Sequence, residues 1–110
     1  MNLEELLLDA LEKVKAYDVI VYDMEDKTPF YDKMIISTVD SVRQSDSVVS
    51  YIEDNLENTD YTIRSIEGKG SGWVLVDCNS IIVSIFSKEM REHYSLEKLY
   101  MDIKQRRIDN

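Results

Sequence analysis

The sequence of 110 residues is poor in the residues that break or cross-link a chain, with one cysteine, one proline and three glycines. A single cysteine, Cys78, excludes an internal disulfide and favours a reducing compartment. No apolar run exceeds four residues, far short of the roughly 20 needed to span a bilayer, and the amino terminus lacks a basic signal-peptide region. The sequence therefore predicts a cytoplasmic protein that is neither exported nor anchored in a membrane.

Positive charge is also scarce. Thirteen lysines and arginines face 22 acids, for a formal net charge of −9. Residues 1–60 hold 15 acids and 5 bases, whereas residues 61–110 hold 7 acids and 8 bases. A surface this acidic predicts no non-specific binding to nucleic acid. The acidic half suits a basic protein partner, although acidic surfaces also serve solubility alone.

The apolar pattern predicts one α/β domain. Helices are expected over 3–15, from the capping box Ser41–Gln44 to about 58, over 88–93 and over 96–103; strands are expected over 18–24, 32–39, 61–67, 73–77 and 81–86. The first two strands and the last two each read as a hairpin. This order indicates a mixed sheet of about five strands flanked by helices. Residues 1–104 would form the domain, and residues 105–110 a short basic tail that frays.

The residues that usually carry chemistry do not form a recognisable site. The glycine-rich segment 68–72 lacks the spacing of a phosphate-binding loop and leads into a strand rather than a helix. His93 and Cys78 are each the only residue of their type, which predicts no His/Cys metal cluster. A nucleotidyltransferase would need paired acids after this loop, and only Asp77 is present. We therefore expect no catalytic residues, no cofactor and no metal.

Trp73 is the strongest candidate for a binding residue. It follows the glycine-rich segment directly, at the start of a predicted strand, where a large ring is often partly exposed. Tryptophan is enriched among the residues that dominate binding energy at protein interfaces. The alternative is a core tryptophan packed under a helix, and the pattern alone leaves both interpretations open.

Six segments together resemble the ribosomal silencing factor family, also called the Iojap family. They are residues 15–21 (KAYDVIV), 32–36 (DKMII), 41–44 (SVRQ), 66–68 (IEG), 72–77 (GWVLVD) and 91–100 (REHYSLEKLY). They follow the family's order at compatible spacing, and the resemblance covers about residues 5–103. It implies a nucleotidyltransferase-like fold without the enzyme's catalytic acids.

The resemblance also implies a function. Family members bind the fourteenth large-subunit ribosomal protein, at the face of the large ribosomal subunit that meets the small subunit. They block subunit association there and repress translation when nutrients are scarce. An alternative is a large-subunit assembly or maturation factor that uses the same surface. Family members are often seen as dimers, which leaves open a homodimer when the protein is free.

The binding residues that the resemblance implies are few. Trp73 matches the family's tryptophan at the partner-facing strand. Asp77 and Glu67 match acids near the same surface, where they would meet basic side chains of the ribosomal protein. Tyr94 and Glu97 match the carboxy-terminal segment, and both could instead fix the last helix against the sheet.

Three positions depart from the family pattern. The family commonly has glycine at Val39, histidine at Ser84 and tryptophan at Tyr100. The last change keeps an aromatic ring, whereas the first two leave open any role assigned to those positions.

Overall fold

The computed structural model describes residues 1–108, apart from the side chains of Leu96 and Glu97. Its elements in chain order are α1 (Leu3–Lys13), β1 (Tyr17–Asp23), β2 (Lys33–Val39), α2 (Val42–Leu56), β3 (Ser65–Glu67), β4 (Trp73–Asp77), β5 (Ile81–Ser87), α3 (Lys88–His93), α4 (Leu96–Leu99) and β6 (Gln105–Ile108). None of the helices in this described part is long and apolar enough to cross a membrane.

Side-chain caps determine where the helices begin. The Ser41 hydroxyl accepts a hydrogen bond from the Gln44 backbone N–H, and the Gln44 side chain accepts one from the Ser41 N–H. The capping box predicted for α2 is therefore confirmed. Asn2 and Glu5 form an equivalent box at α1. The Ser87 hydroxyl accepts from the Met90 N–H and caps α3.

The strands form one mixed sheet in the order β3-β4-β5-β2-β1-β6. Strands β2 and β5 pair in parallel, and every other neighbouring pair is antiparallel. The two predicted hairpins, β1–β2 and β4–β5, are confirmed. The predicted α/β class with a mixed, helix-flanked sheet is therefore confirmed.

The carboxy-terminal segment differs from the sequence prediction. The last helix ends at Leu99 rather than near residue 103. Residues 105–108, expected as a fraying basic tail, instead form β6, which pairs with residues 19–22 of β1. The described part of the sheet thus has six strands, where the sequence predicted about five. Ile108 packs on the hydrophobic core, and this single apolar side chain gave too weak a pattern to predict a strand.

The two faces of the sheet are covered differently. One, here called the helix face, carries Val19, Val21, Ile35, Val83 and Ile85 beneath α1 and α2. The other, here called the open face, carries Ile20, Tyr22, Met34, Ile36, Ile82 and Phe86. It is covered in part by Met90 of α3, by Tyr31, and by Tyr100 and Ile103 of the segment that leads to β6.

Candidate functional site

The Trp73 ring lies on the open face at the start of β4. It is half-buried and stacks on Phe86, with 4.8 Å between ring centroids. Tyr94, at the end of α3, contacts it at 5.5 Å and remains 40% exposed. Trp73 is thus neither a fully buried core residue nor a free surface residue: one side of its ring packs, and the rest is within reach of a partner.

The loop before β4 holds the Trp73 backbone in place. Gly68 has a positive φ of 82°, and a Cβ atom on it would lie 2.1 Å from the Trp73 carbonyl oxygen. The Ser71 hydroxyl donates to the Gly68 carbonyl at 2.6 Å and lies 3.1 Å from the Trp73 carbonyl. Gly70 also has a positive φ, of 83°, but a Cβ atom there would meet nothing within 4 Å. Glycine is therefore required at position 68 for two reasons: the Trp73 carbonyl oxygen approaches it closely, and its φ is positive.

The indole nitrogen of Trp73 is buried and has no hydrogen-bond partner among the described residues. An unpaired buried donor costs about 1–3 kcal/mol, because its hydration is lost and not replaced. A ring position in which the indole N–H met an acceptor would recover that free energy. The unpaired indole N–H therefore offsets part of the stability that packing of the Trp73 ring provides.

Leu75 and Glu67 extend the surface around Trp73. Leu75 lies two residues further along β4, so it points to the same face, and it is also half-buried. Glu67 pairs with Leu75 across the β3–β4 ladder and is exposed. We call Trp73, Leu75 and Tyr94 the aromatic surface. It is an apolar area with one carboxylate at its edge.

Asp77 lies on the same face as Trp73 and Leu75 but further along β4. It lies at the other end of β4, about 13 Å from Trp73 along the strand at 3.3 Å per residue. Its carboxylate accepts from the Asn79 backbone N–H at 2.9 Å and lies 3.9 Å from the Arg64 Nε. These contacts give Asp77 a role in the β4–β5 turn. The structure therefore brings Trp73, Tyr94 and Glu67 together and separates them from Asp77, while the Glu97 side chain lies outside the described residues.

Two strongly exposed apolar residues of the carboxy-terminal segment were not among the predicted site residues. Leu99 is 70% and Met101 69% exposed, in the segment that crosses from α3 to β6. The sequence placed them on or beside a final packed helix. Because α4 is only four residues long, these side chains are left unburied. Nothing in the sequence indicates that this helix ends at Leu99, because the neighbouring apolar residues keep a helical spacing beyond it. The exposure of these two side chains was therefore not predicted.

The Cys78 thiol follows β4 and lies in the core of the helix face, on the other side of the sheet from the aromatic surface. Burial, followed by the charge of Asp77, raises the pKa of the Cys78 thiol to about 11, so it stays protonated at neutral pH. Among the side chains that the structure describes, no three of His, Cys, Asp or Glu are grouped so that they could hold a metal ion. Ser84 is buried, and its hydroxyl donates to the Met34 sulfur at 3.7 Å.

Comparison with known proteins supports a family assignment. The family model described as "Ribosomal silencing factor during starvation" matches residues 2–110. The ribosomal silencing factor RsfS of Haemophilus influenzae is 33% identical over 101 residues, which cover 91% of this chain and 99% of that protein. The protein of the same name from Halalkalibacterium halodurans is 42% identical over 41 residues, or 36% of this chain and 35% of its own length.

Solved structures agree with the sequence relatives. A crystal structure of a protein from Chromobacterium violaceum superposes with a TM-score of 0.83 at 28% identity, covering 98% of this chain and 91% of that one. A second, from Bacillus halodurans, gives 0.82 at 25% identity, covering 96% and 97%. Because the family model matches residues 2–110, the chain belongs to the ribosomal silencing factor family.

Proposed function

We propose that this protein represses translation in the cytoplasm during nutrient limitation by binding the large ribosomal subunit and blocking its association with the small subunit. The contact is made with the fourteenth large-subunit ribosomal protein. Membership of the ribosomal silencing factor family supports silencing in general. The partner and the blocking mechanism are the parts that need experiment.

The exposed aromatic surface is the observation that carries the proposal. Aromatic side chains supply large contact area with little loss of conformational entropy, and they dominate the energy of many protein interfaces. Trp73 and Tyr94 lie in contact with each other on the less covered face of the sheet. Glu67 at the edge provides a carboxylate for a basic side chain of the ribosomal protein, which would help to fix the orientation of docking.

The dimensions of the fold suit a steric block. If the open face contacts the large subunit, α1 and α2 on the opposite side of the sheet point away from it. The domain measures 37 × 32 × 25 Å, so even its shortest dimension would hold two subunit surfaces far beyond contact distance. Blocking needs no catalysis, only residence at the interface between the subunits.

The experiment measures light scattering when large and small subunits are mixed at a magnesium concentration that drives their association. Large subunits are first incubated with wild-type protein, Trp73→Glu, Tyr94→Ala or Tyr51→Ala. Tyr51 is a matched control because it is 38% exposed, close to the 40% of Tyr94, but lies on α2 in the other layer. Circular dichroism and thermal unfolding check that each variant is folded.

We expect wild type and Tyr51→Ala to suppress the rise in scattering. Trp73→Glu should lose suppression, and Tyr94→Ala should need about tenfold more protein, the loss typical of a truncated interface aromatic. If Trp73→Glu unfolds, Tyr94→Ala decides the question. Equal suppression by Tyr94→Ala and Tyr51→Ala would show that the aromatic surface is not the docking site. No suppression by the wild type would overturn the blocking mechanism itself.

A further inference from the structure

Strand β6 and the residue before it concentrate positive charge in an acidic protein. Lys104, Arg106 and Arg107 place three cations within four residues, while the whole chain carries a net charge of −9. All three side chains are exposed. We call these three residues the basic edge, because β6 is the last strand on one side of the sheet.

The acids near the basic edge neutralise it incompletely. Arg106 contacts the Glu4 carboxylate at 2.7 Å, but Lys33 shares that carboxylate at 2.8 Å. Arg107 pairs with Asp18 at 3.0 Å, in a bridge whose two side chains are more than half exposed. Lys104 has no carboxylate partner among the described residues and lines a cavity of about 360 Å³ together with Lys33, Arg106 and Asp23. An anion arriving at this edge would meet Lys104 without first displacing an ion pair.

The backbone of β6 adds hydrogen-bond donors. Strand β6 pairs with β1 on one side only. In an antiparallel pair, alternate residues turn their N–H and C=O groups away from the partner strand, so an edge strand presents unpaired donors. These N–H groups lie among the cationic side chains. Together they resemble the mixture of arginine, lysine and backbone N–H groups that proteins use to contact nucleic-acid phosphates.

We propose that the basic edge contacts phosphates of ribosomal RNA on the large subunit while the aromatic surface contacts the ribosomal protein. This inference rests on the proposed function. Strand β6 lies four strand spacings from β4, or about 19 Å at 4.8 Å each, so it reaches past the aromatic surface to a neighbouring part of the particle. Because the rest of the protein carries a net negative charge, an RNA-rich particle favours approach by this edge, which orients docking.

The test compares two substitutions that each remove one positive charge. Lys104→Gln removes the cation of the basic edge that has no ion pair, so no described salt bridge is lost. The control, Arg43→Gln, removes an exposed cation from α2 in the other layer. Binding of each purified full-length protein to large subunits is measured at several salt concentrations from 50 mM upwards. Binding to the isolated fourteenth ribosomal protein is measured in parallel.

Each phosphate contact contributes close to one unit to the slope of log affinity against log salt concentration. We expect Lys104→Gln to reduce that slope by about 1 and to weaken binding to the large subunit about tenfold at 50 mM salt. Arg43→Gln should behave as wild type, and neither change should affect binding to the isolated ribosomal protein.

Three results would overturn the inference in distinguishable ways. Equal slopes for Lys104→Gln and wild type would show that the basic edge serves only to keep the strand from pairing with other chains. Equal weakening toward the isolated ribosomal protein would place an acidic protein segment, not RNA, at this edge. If the wild type fails to bind large subunits at all, the proposed function fails first.

Discussion

The two faces of the sheet bury very different amounts of the chain. Among the described residues, the helix face belongs to a cluster of twenty buried residues under helices of 11 and 15 residues. The open face has a cluster of seven described residues, covered in part by Met90 of the six-residue α3 and by side chains of irregular segments. The free energy of folding thus comes mainly from the helix face, while the apolar area left uncovered on the open face is available for binding.

The difference extends to polar groups. On the helix face, the Asn55 side chain joins the helices by donating to the Leu6 carbonyl at 2.8 Å. On the open face, the indole N–H of Trp73 is buried without an acceptor among the described residues. The described polar groups between the helices are therefore paired, whereas the open face keeps a buried donor without an acceptor.

The largest expected effect compares two isoleucines on β5. Ile85 lies on the helix face and is fully buried, whereas Ile82 lies on the open face and is 7% exposed. Truncation of a buried isoleucine to alanine costs about 2–5 kcal/mol, depending on how well the site can collapse around the cavity. We expect Ile85→Ala to lose about 4 kcal/mol and Ile82→Ala about 2 kcal/mol, measured by urea unfolding. Equal losses would mean that the two faces contribute equally to stability.

The next effect tests the loop that holds Trp73. Gly68→Ala and Gly70→Ala both place a side chain at a positive φ, which costs about 1 kcal/mol. Only the Cβ of Gly68→Ala also meets the Trp73 carbonyl oxygen, at 2.1 Å. We expect a loss of about 1 kcal/mol for Gly70→Ala and at least about 2 kcal/mol for Gly68→Ala.

Fluorescence gives this pair a local readout, because Trp73 is the only tryptophan. The emission maximum should shift in Gly68→Ala and stay constant in Gly70→Ala, since only the first moves the backbone beside the ring. The same shift in both variants would show that the loop as a whole, rather than the contact of Gly68 with Trp73, sets the position of the ring.

The helix face could be predicted from sequence more completely than the open face. Periodic apolar residues and the Ser41–Gln44 cap fixed α2, since both signals are local. Alternating and β-branched runs predicted β1, β2, β4 and β5 within two residues of their ends. Such patterns depend only on residues that are close in the sequence. Almost all of the elements that form the helix face have a pattern of this kind.

The parts that could not be predicted depend on distant contacts. Strand β6 exists because residues 19–22 offer it a pairing edge and because Glu4 and Asp18 offset its charges, and no local pattern shows this. Trp73 could be singled out by its position after the glycines, but whether its ring was buried depended on Phe86 and Tyr94. Asp77 was grouped with Trp73 by resemblance, and the length of β4 separates them.

The smallest expected effect concerns Glu4, which ties the edge strand to α1 and β2. Burial raises the pKa of its carboxyl, but the hydrogen bonds and charges of Lys33 and Arg106 lower it more, leaving it below its usual 4.5. A carboxyl with a lowered pKa in the folded state stabilises the fold above its unfolded pKa. This stabilisation is lost as pH falls through the lower folded value. Glu4→Gln should therefore cost about 1 kcal/mol at pH 7, and the difference from wild type should shrink below pH 4.5.

Urea unfolding at pH 7 and at several lower pH values measures this dependence. Glu12→Gln is the matched control, because Glu12 is an exposed acid on the same helix without an ion pair among the described residues. Its difference from wild type should be close to zero throughout. Hydrogen exchange at residues 105–108 locates the effect: protection there should fall in Glu4→Gln while α2 stays protected. Loss of protection in α2 as well would show that Glu4 supports the whole helix face, and the contrast between a stable face and a loosely held edge would not hold.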